Sequence, residues 1–270
     1  MMDRVVLLGT GSCELSEERR ASSVLIETAG LRLIFDLGRG IADRLAHLGF
    51  RQDDIRHLVF SHFHPDHVSD LIPYLQAGSW SRRDPRSEDL HLWGPKGLEN
   101  QMHRLLGLFA VDNLTRRHWR VHLHELRDDE MERDEYGLPC FEIEGRRFGW
   151  PDLPPAENHG LVFEAELEGH RKRIAITGDS YFHEDEVAAL RRTDVAIFDS
   201  GHLEDDQIVE LMVRTDVPRL IASHVSRDLD VQRLLDAAKR RGFTGDLEVA
   251  HDLQDLAAGA AMTPAIESSQ

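Results

Sequence analysis

Between Ser61 and His67 the chain reads Ser-His-Phe-His-Pro-Asp-His, an H-x-H-x-D-H pattern with three imidazoles and one carboxylate in six residues. It follows the apolar run Leu58-Val59-Phe60, the end of a predicted buried strand, His57–Phe60. A turn directly after such a strand aims all four polar side chains into one space. Imidazole nitrogen and carboxylate oxygen are donors that borderline metals such as zinc accept. The plain alternative is a solvated polar turn, but the density of ligand types favours a metal site.

Two distant fragments carry the same donor types. Ile176-Thr177-Gly178-Asp179-Ser180 ends a predicted strand on a carboxylate, and Leu220-Ile221-Ala222-Ser223-His224 ends another on an imidazole. In α/β architectures functional groups gather at the carboxyl ends of strands. Three strand ends carrying ligand types therefore suggest one shared centre.

The rest of the chain supports that reading. Arg4–Gly9 reads as a buried strand, and Ser22–Thr28 with Leu31–Asp36 as a hairpin around Ala29-Gly30. Ile41–Leu48 has helical spacing, and Val68–Leu75 reads as a helix leaving the histidine turn. Leu90–Trp93 reads as a strand with a helix after it, residues 112–136 as charged and irregular, and Phe141–Phe148 as a hairpin. Leu161–Leu167 and Arg173–Thr177 read as strands. Helix and strand then alternate through Glu184–Arg192, Val195–Asp199, Asp205–Val213, Arg219–Ser223, Val231–Arg241 and Leu247–Ala250. This predicts one domain over residues 1–258, two sheets between outer helices, and a frayed tail over 259–270.

Charge narrows the function. Lys and Arg number 32 against 49 Asp and Glu, a net charge of −17, which offers nothing global to attract phosphate backbones. No apolar run is long enough for a membrane span, and Met1–Leu8 lacks a secretory leader, so the cytoplasm is the expected compartment and no membrane partner is expected. Cys13 and Cys140 are expected to be free, buried thiols.

The chain resembles the metallo-β-lactamase superfamily, and within it the ribonuclease Z-like phosphodiesterase branch. The resemblance runs through Leu7-Leu8-Gly9-Thr10-Gly11-Ser12, Arg20-Ala21-Ser22-Ser23, Phe35-Asp36-Leu37-Gly38, the H-x-H-x-D-H block and Gly94-Pro95-Lys96-Gly97. It resumes at Thr177-Gly178-Asp179-Ser180, Gly201-His202 and Ser223-His224. It implies an α/β (α+β) fold, the four-layer αββα metallo-β-lactamase sandwich, with two divalent metal ions at one edge: zinc first, with manganese or iron as alternatives. By carry-over, His62 and His64 bind the first metal, Asp66 and His67 the second, Asp179 bridges both, and His224 completes the second site. Asp66 would also orient or deprotonate the attacking water. His202 would protonate the leaving oxygen, the alternative being a capping or surface histidine. One further first-metal ligand is expected before Leu161. His159 is the candidate there, with Asp152 or Glu157 as substitutes.

The expected activity is metal-dependent hydrolysis of a small-molecule or nucleotide phosphodiester. The alternatives are a ribonuclease Z-type tRNA endonuclease, a lactone, thioester or β-lactam hydrolase, and a non-catalytic metal sensor. Nucleic acid is disfavoured by the charge, and because about twenty residues between His159 and Asp179 leave no room for a tRNA-binding arm. The basic clusters Arg116–Arg120 and Arg171–Arg173 read as solvated turns or strand ends. The branch also carries an expectation of homodimers.

Overall fold

Val5, Leu7, Val6 and Leu8 are all fully buried. Successive strand side chains point to opposite faces, so the first strand must be covered on both sides. Val5 and Leu7 join one apolar cluster, while Val6 and Leu8 join another. This parity sets up the layers.

The computed structural model describes residues 3–109 and 119–257. Within them, one sheet runs edge to edge through Gln254–Asp255, Arg4–Gly9, Ser23–Thr28, Leu31–Phe35, His57–Val59, Leu90–Pro95 and Val121–Leu126. The second runs through Asp246–Val249, Arg219–Ser223, Val195–Asp199, His170–Ile176, Leu161–Leu167, Arg146–Gly149, Pro139–Ile143 and Glu132–Arg133. A two-stranded ribbon, Asp152–Leu153 with Asn158–His159, lies apart from both.

The central core joins the sheets face to face, with Leu7, Ile26, Phe35 and Val59 from one and Phe163, Ile174, Ile197 and Ile221 from the other. The outer face of the first sheet packs on helices Ile41–His47, Leu71–Trp80 and Leu98–Leu108. That of the second packs on Glu184–Leu190, Asp205–Thr215 and Val231–Lys239. Each helix buries one apolar stripe, such as Ile208, Leu211 and Met212, or Leu234 and Ala238. The result is the expected αββα sandwich. No helix among the described residues is long and apolar enough to cross a membrane.

Parallel pairing decides where chemistry can sit. Leu31–Phe35 pairs parallel to His57–Val59, and His170–Ile176, Val195–Asp199 and Arg219–Ser223 pair parallel in series. Their carboxyl ends therefore open on one edge of the sandwich, with Asp36, His62, Asp179, Asp199 and His224 at or just beyond them.

Several expectations change. Val121–Leu126 is a strand within the segment read as irregular, pairing parallel to Leu90–Pro95. Its Val-His-Leu-His-Glu-Leu alternation suits a sheet edge, and charge masked that alternation. Residues 112–118 and the 259–270 tail lie outside the described residues. The helix expected over Val68–Leu75 is two pieces, Pro65–Val68 and Leu71–Trp80, because Pro65 starts helix inside the ligand turn itself. Both cysteines are free, but Cys13 is exposed and only Cys140 is buried.

Candidate metal centre

Asp36 leaves its strand at a φ of 60° and turns its carboxylate inward. It accepts hydrogen bonds from the Ser61 amide and the Ser61 hydroxyl, both at 2.8 Å. Its Oδ2 also accepts from His67 Nδ1 at 2.7 Å. With Nδ1 occupied, the fully buried His67 presents Nε2 to the centre. His62 and His64 lie on extended chain before Pro65, while Asp66 and His67 lie on the first helical turn. Gly38 permits this approach, since a Cβ there would sit 2.1 Å from the Asp66 carbonyl oxygen.

Asp179 is the hub. Its Oδ2 lies 3.5 Å from His62 Nε2 and 3.8 Å from His64 Nδ1. Its Oδ1 lies 2.8 Å from His67 Nε2 and 3.2 Å from His224 Nε2. Asp66 Oδ2 lies 3.3 Å from His224 Nε2 and 3.7 Å from His67 Nε2. Three groups able to hold a cation share Asp179: His62 and His64 with it, Asp66, His67 and His224 with it, and Asp199, His202 and His224 with it.

The donor set fits cations better than it fits itself. His62 Nε2, His67 Nε2 and Asp179 Oδ1 are buried without a hydrogen-bond partner. The close His67–Asp179 approach lacks hydrogen-bond alignment, so buried polar atoms face a shared space unsatisfied. Burial pushes the Asp179 carboxyl up, but the imidazoles of His62, His67 and His224 outweigh it and hold it far below the usual carboxylate range. Burial pushes His224 down, yet Asp199 and Asp66 overcome it and raise the imidazole to about 10. The raised His67 and His224 imidazoles favour the positive charge that offsets the carboxylates here, a role that divalent cations can take over.

Behind this centre lies a support that sequence reasoning left without a role. Asp199, almost fully buried, accepts from His202 Nδ1 at 2.6 Å and lies 3.3 Å from His224 Nδ1. The amides of Ser180 and Gly201 donate to the same carboxylate at 2.9 and 2.8 Å. The Asp199 hydrogen bond raises His202 above the usual imidazole value, with burial opposing it. His202 stacks on His224 with ring centroids 5.3 Å apart, and Tyr181 meets its edge. The Ser180 hydroxyl donates to Glu186 Oε1 at 2.7 Å. Asp36 and Asp199 were both visible as strand-end carboxylates, but nothing in their spacing showed which histidines they orient.

His159 falls elsewhere. The structure groups it with Asp128 and Asp152, not with His62, His64 and Asp179. The ribbon register sets Asp152 directly opposite His159, which delivers the imidazole beside that carboxylate. Glu157 is exposed and joins none of these groups. Arg171 pairs with Glu164, and Arg173 with Asp134 at 3.0 Å, so that basic cluster is spent on acidic neighbours.

Residues 32–243 match a family described as a beta-lactamase superfamily domain. Ribonuclease Z of Pyrococcus abyssi is 26% identical over 245 residues, covering 76% of each chain. The metallo-beta-lactamase fold protein YhfI from Bacillus subtilis superimposes with a TM-score of 0.70 at 15% identity, over 94% of this chain and 98% of that one. The short form of human tRNase Z superimposes with a TM-score of 0.66 at 19% identity, over 93% and 98%. At these identities the structural likenesses establish the fold.

Proposed function

The chain belongs to the beta-lactamase superfamily, and from that premise we propose that it is a metal-dependent phosphodiesterase with two divalent cations, zinc first, at the Asp179 hub. One observation carries the reading: each oxygen of Asp179 faces its own pair of imidazoles, His62 with His64 on one side and His67 with His224 on the other. Asp66 joins the second set. When bound, such cations neutralise charge on the attacked phosphate and make water nucleophilic near neutral pH.

The chain's own groups supply the rest. Asp36 locks His67 in the tautomer that leaves Nε2 free to ligate. Asp66, at the edge of the second set, orients the attacking water and accepts its proton. Asp199 binds Nδ1 of His202, so the remaining imidazole proton sits on Nε2. That carboxylate raises His202 above the usual imidazole value, which favours the protonated ring that donates to the leaving oxygen.

The substrate proposed is a small or nucleotide phosphodiester. Protein loaded with zinc or manganese should hydrolyse bis(p-nitrophenyl) phosphate, and a chelator should abolish the reaction. The absence of turnover with any divalent metal would refute the proposal. Precursor tRNA is the second reading, favoured by the relative named ribonuclease Z. The net charge of −17 opposes it, and cleavage of precursor tRNA at a rate exceeding that of small diesters would establish it.

A further inference from the structure

We infer that Asp128, Asp152 and His159 form a separate divalent-cation site beside the Asp179 hub. Their donor atoms lie within 4.8 Å of one another. His159 is only 8% exposed, and its Nδ1 has no hydrogen-bond partner. That nitrogen lies 4.0 Å from Asp128 Oδ2. An unpartnered, buried imidazole nitrogen facing two carboxylates is a candidate metal ligand, since a neutral ring that carries its proton on Nε2 presents a lone pair at Nδ1. Trp150 stacks on the ring at 4.7 Å and 14°, fixing its plane.

The carboxylates lack what they would otherwise need. Asp128 Oδ1 is also buried without a hydrogen-bond partner. Among the described residues, neither Asp128 nor Asp152 has a Lys or Arg nitrogen within ion-pair distance; the one ion-pair contact at either is His159 with Asp128. Two carboxylates and one imidazole thus converge with no Lys or Arg in ion-pair contact, Arg133 acting on Asp128 only from farther off. One nitrogen and two oxygen donors suit zinc, manganese or iron, and fewer than four protein ligands leave positions for water or a bound anion. Asp128 and Asp152 open on a surface cleft of about 640 Å³, which gives the cation a route in.

The inference rests on the proposed function only in treating His62, His64 and Asp179 as a neighbouring site. The full-length protein is stripped with chelator, re-equilibrated with Zn²⁺ or Mn²⁺, and analysed for bound metal and by anomalous scattering. An anomalous peak between Asp128, Asp152 and His159 is expected. Asp128→Asn and His159→Ala should each bind one equivalent less than the unaltered chain and keep the peaks at Asp179. His62→Ala should keep the peak at His159. Peaks confined to the Asp179 hub, full metal content in both variants, or loss of the hub cation in His159→Ala would overturn the inference. A peak at His159 with none at Asp179 would instead refute the two-cation reading and leave this site standing.

Discussion

Asp36 touches no substrate, yet its replacement by asparagine should weaken the centre in a way that can be worked out from its contacts. The carboxylate accepts from Ser61 twice and from His67 Nδ1. Asparagine tolerates the φ of 60° at this position, so the backbone is not strained. Its Oδ1 can still accept from the Ser61 amide, which turns its NH₂ toward His67 and the Ser61 hydroxyl. A donor then faces a donor, and the pair is relieved when His67 Nδ1 gives up its proton and accepts. The proton moves to Nε2, the nitrogen that must ligate. Disturbing such an outer partner costs roughly 10- to 100-fold in metal affinity, or about 1.4–2.8 kcal/mol. Without metal, breaking the buried His67–Asp36 pair should destabilise the fold by about 3 kcal/mol, a melting shift of roughly 6–12 °C for a chain of this size. Chelator competition measures the first effect, and urea unfolding with an unchanged m-value the second. Unchanged affinity together with an unchanged urea midpoint would refute the orienting role.

Other outcomes follow from the same geometry. His202→Ala should lower turnover by roughly 10²- to 10⁴-fold with metal content unchanged, as read by steady-state kinetics and metal analysis. His202 must be protonated to act, so activity should be lost as pH rises through its elevated pKa. Asp199→Asn removes the cause of that elevation and should move the alkaline limb of the pH–rate profile to lower pH; an unmoved limb argues against the pairing. Burial raises Glu186 to about 8, so the folded state holds a proton that the unfolded chain releases above about 4.5. Stability should therefore fall between those values, by up to about 5 kcal/mol, and Glu186→Gln should flatten that slope in urea melts across pH. At Gly178, φ is 66° and an added Cβ would lie 2.8 Å from Ser61 Cβ and 2.9 Å from Asn158 Oδ1. Gly178→Ala should cost roughly 2 kcal/mol or more, measured by thermal denaturation.

Much of this is legible in the order of the amino acids. The strands Arg4–Gly9, Leu161–Leu167, Val195–Asp199 and Arg219–Ser223 fall where apolar runs predict them. Buried strands write their hydrophobicity into contiguous residues. The edge strand Val121–Leu126 was obscured because one face of an edge strand tolerates polar residues, here His122, His124 and Glu125. The two-residue strand Gln254–Asp255 was missed because its pairing depends wholly on Arg4–Gly9, far away in the chain.

The identity of the ligand-rich turn belongs to the sequence alone, because His62, His64, Asp66 and His67 are neighbours along one short stretch and local geometry suffices to bring them together. Which oxygen of Asp179 meets which imidazoles, that Asp36 and Asp199 stand behind them, and that His159 turns to Asp128 and Asp152 were decided by tertiary structure. Those contacts join residues from both sheets across long sequence separations. Their distances come from how parallel strand ends and a short ribbon pack against one another, and spacing along a chain carries no record of that packing.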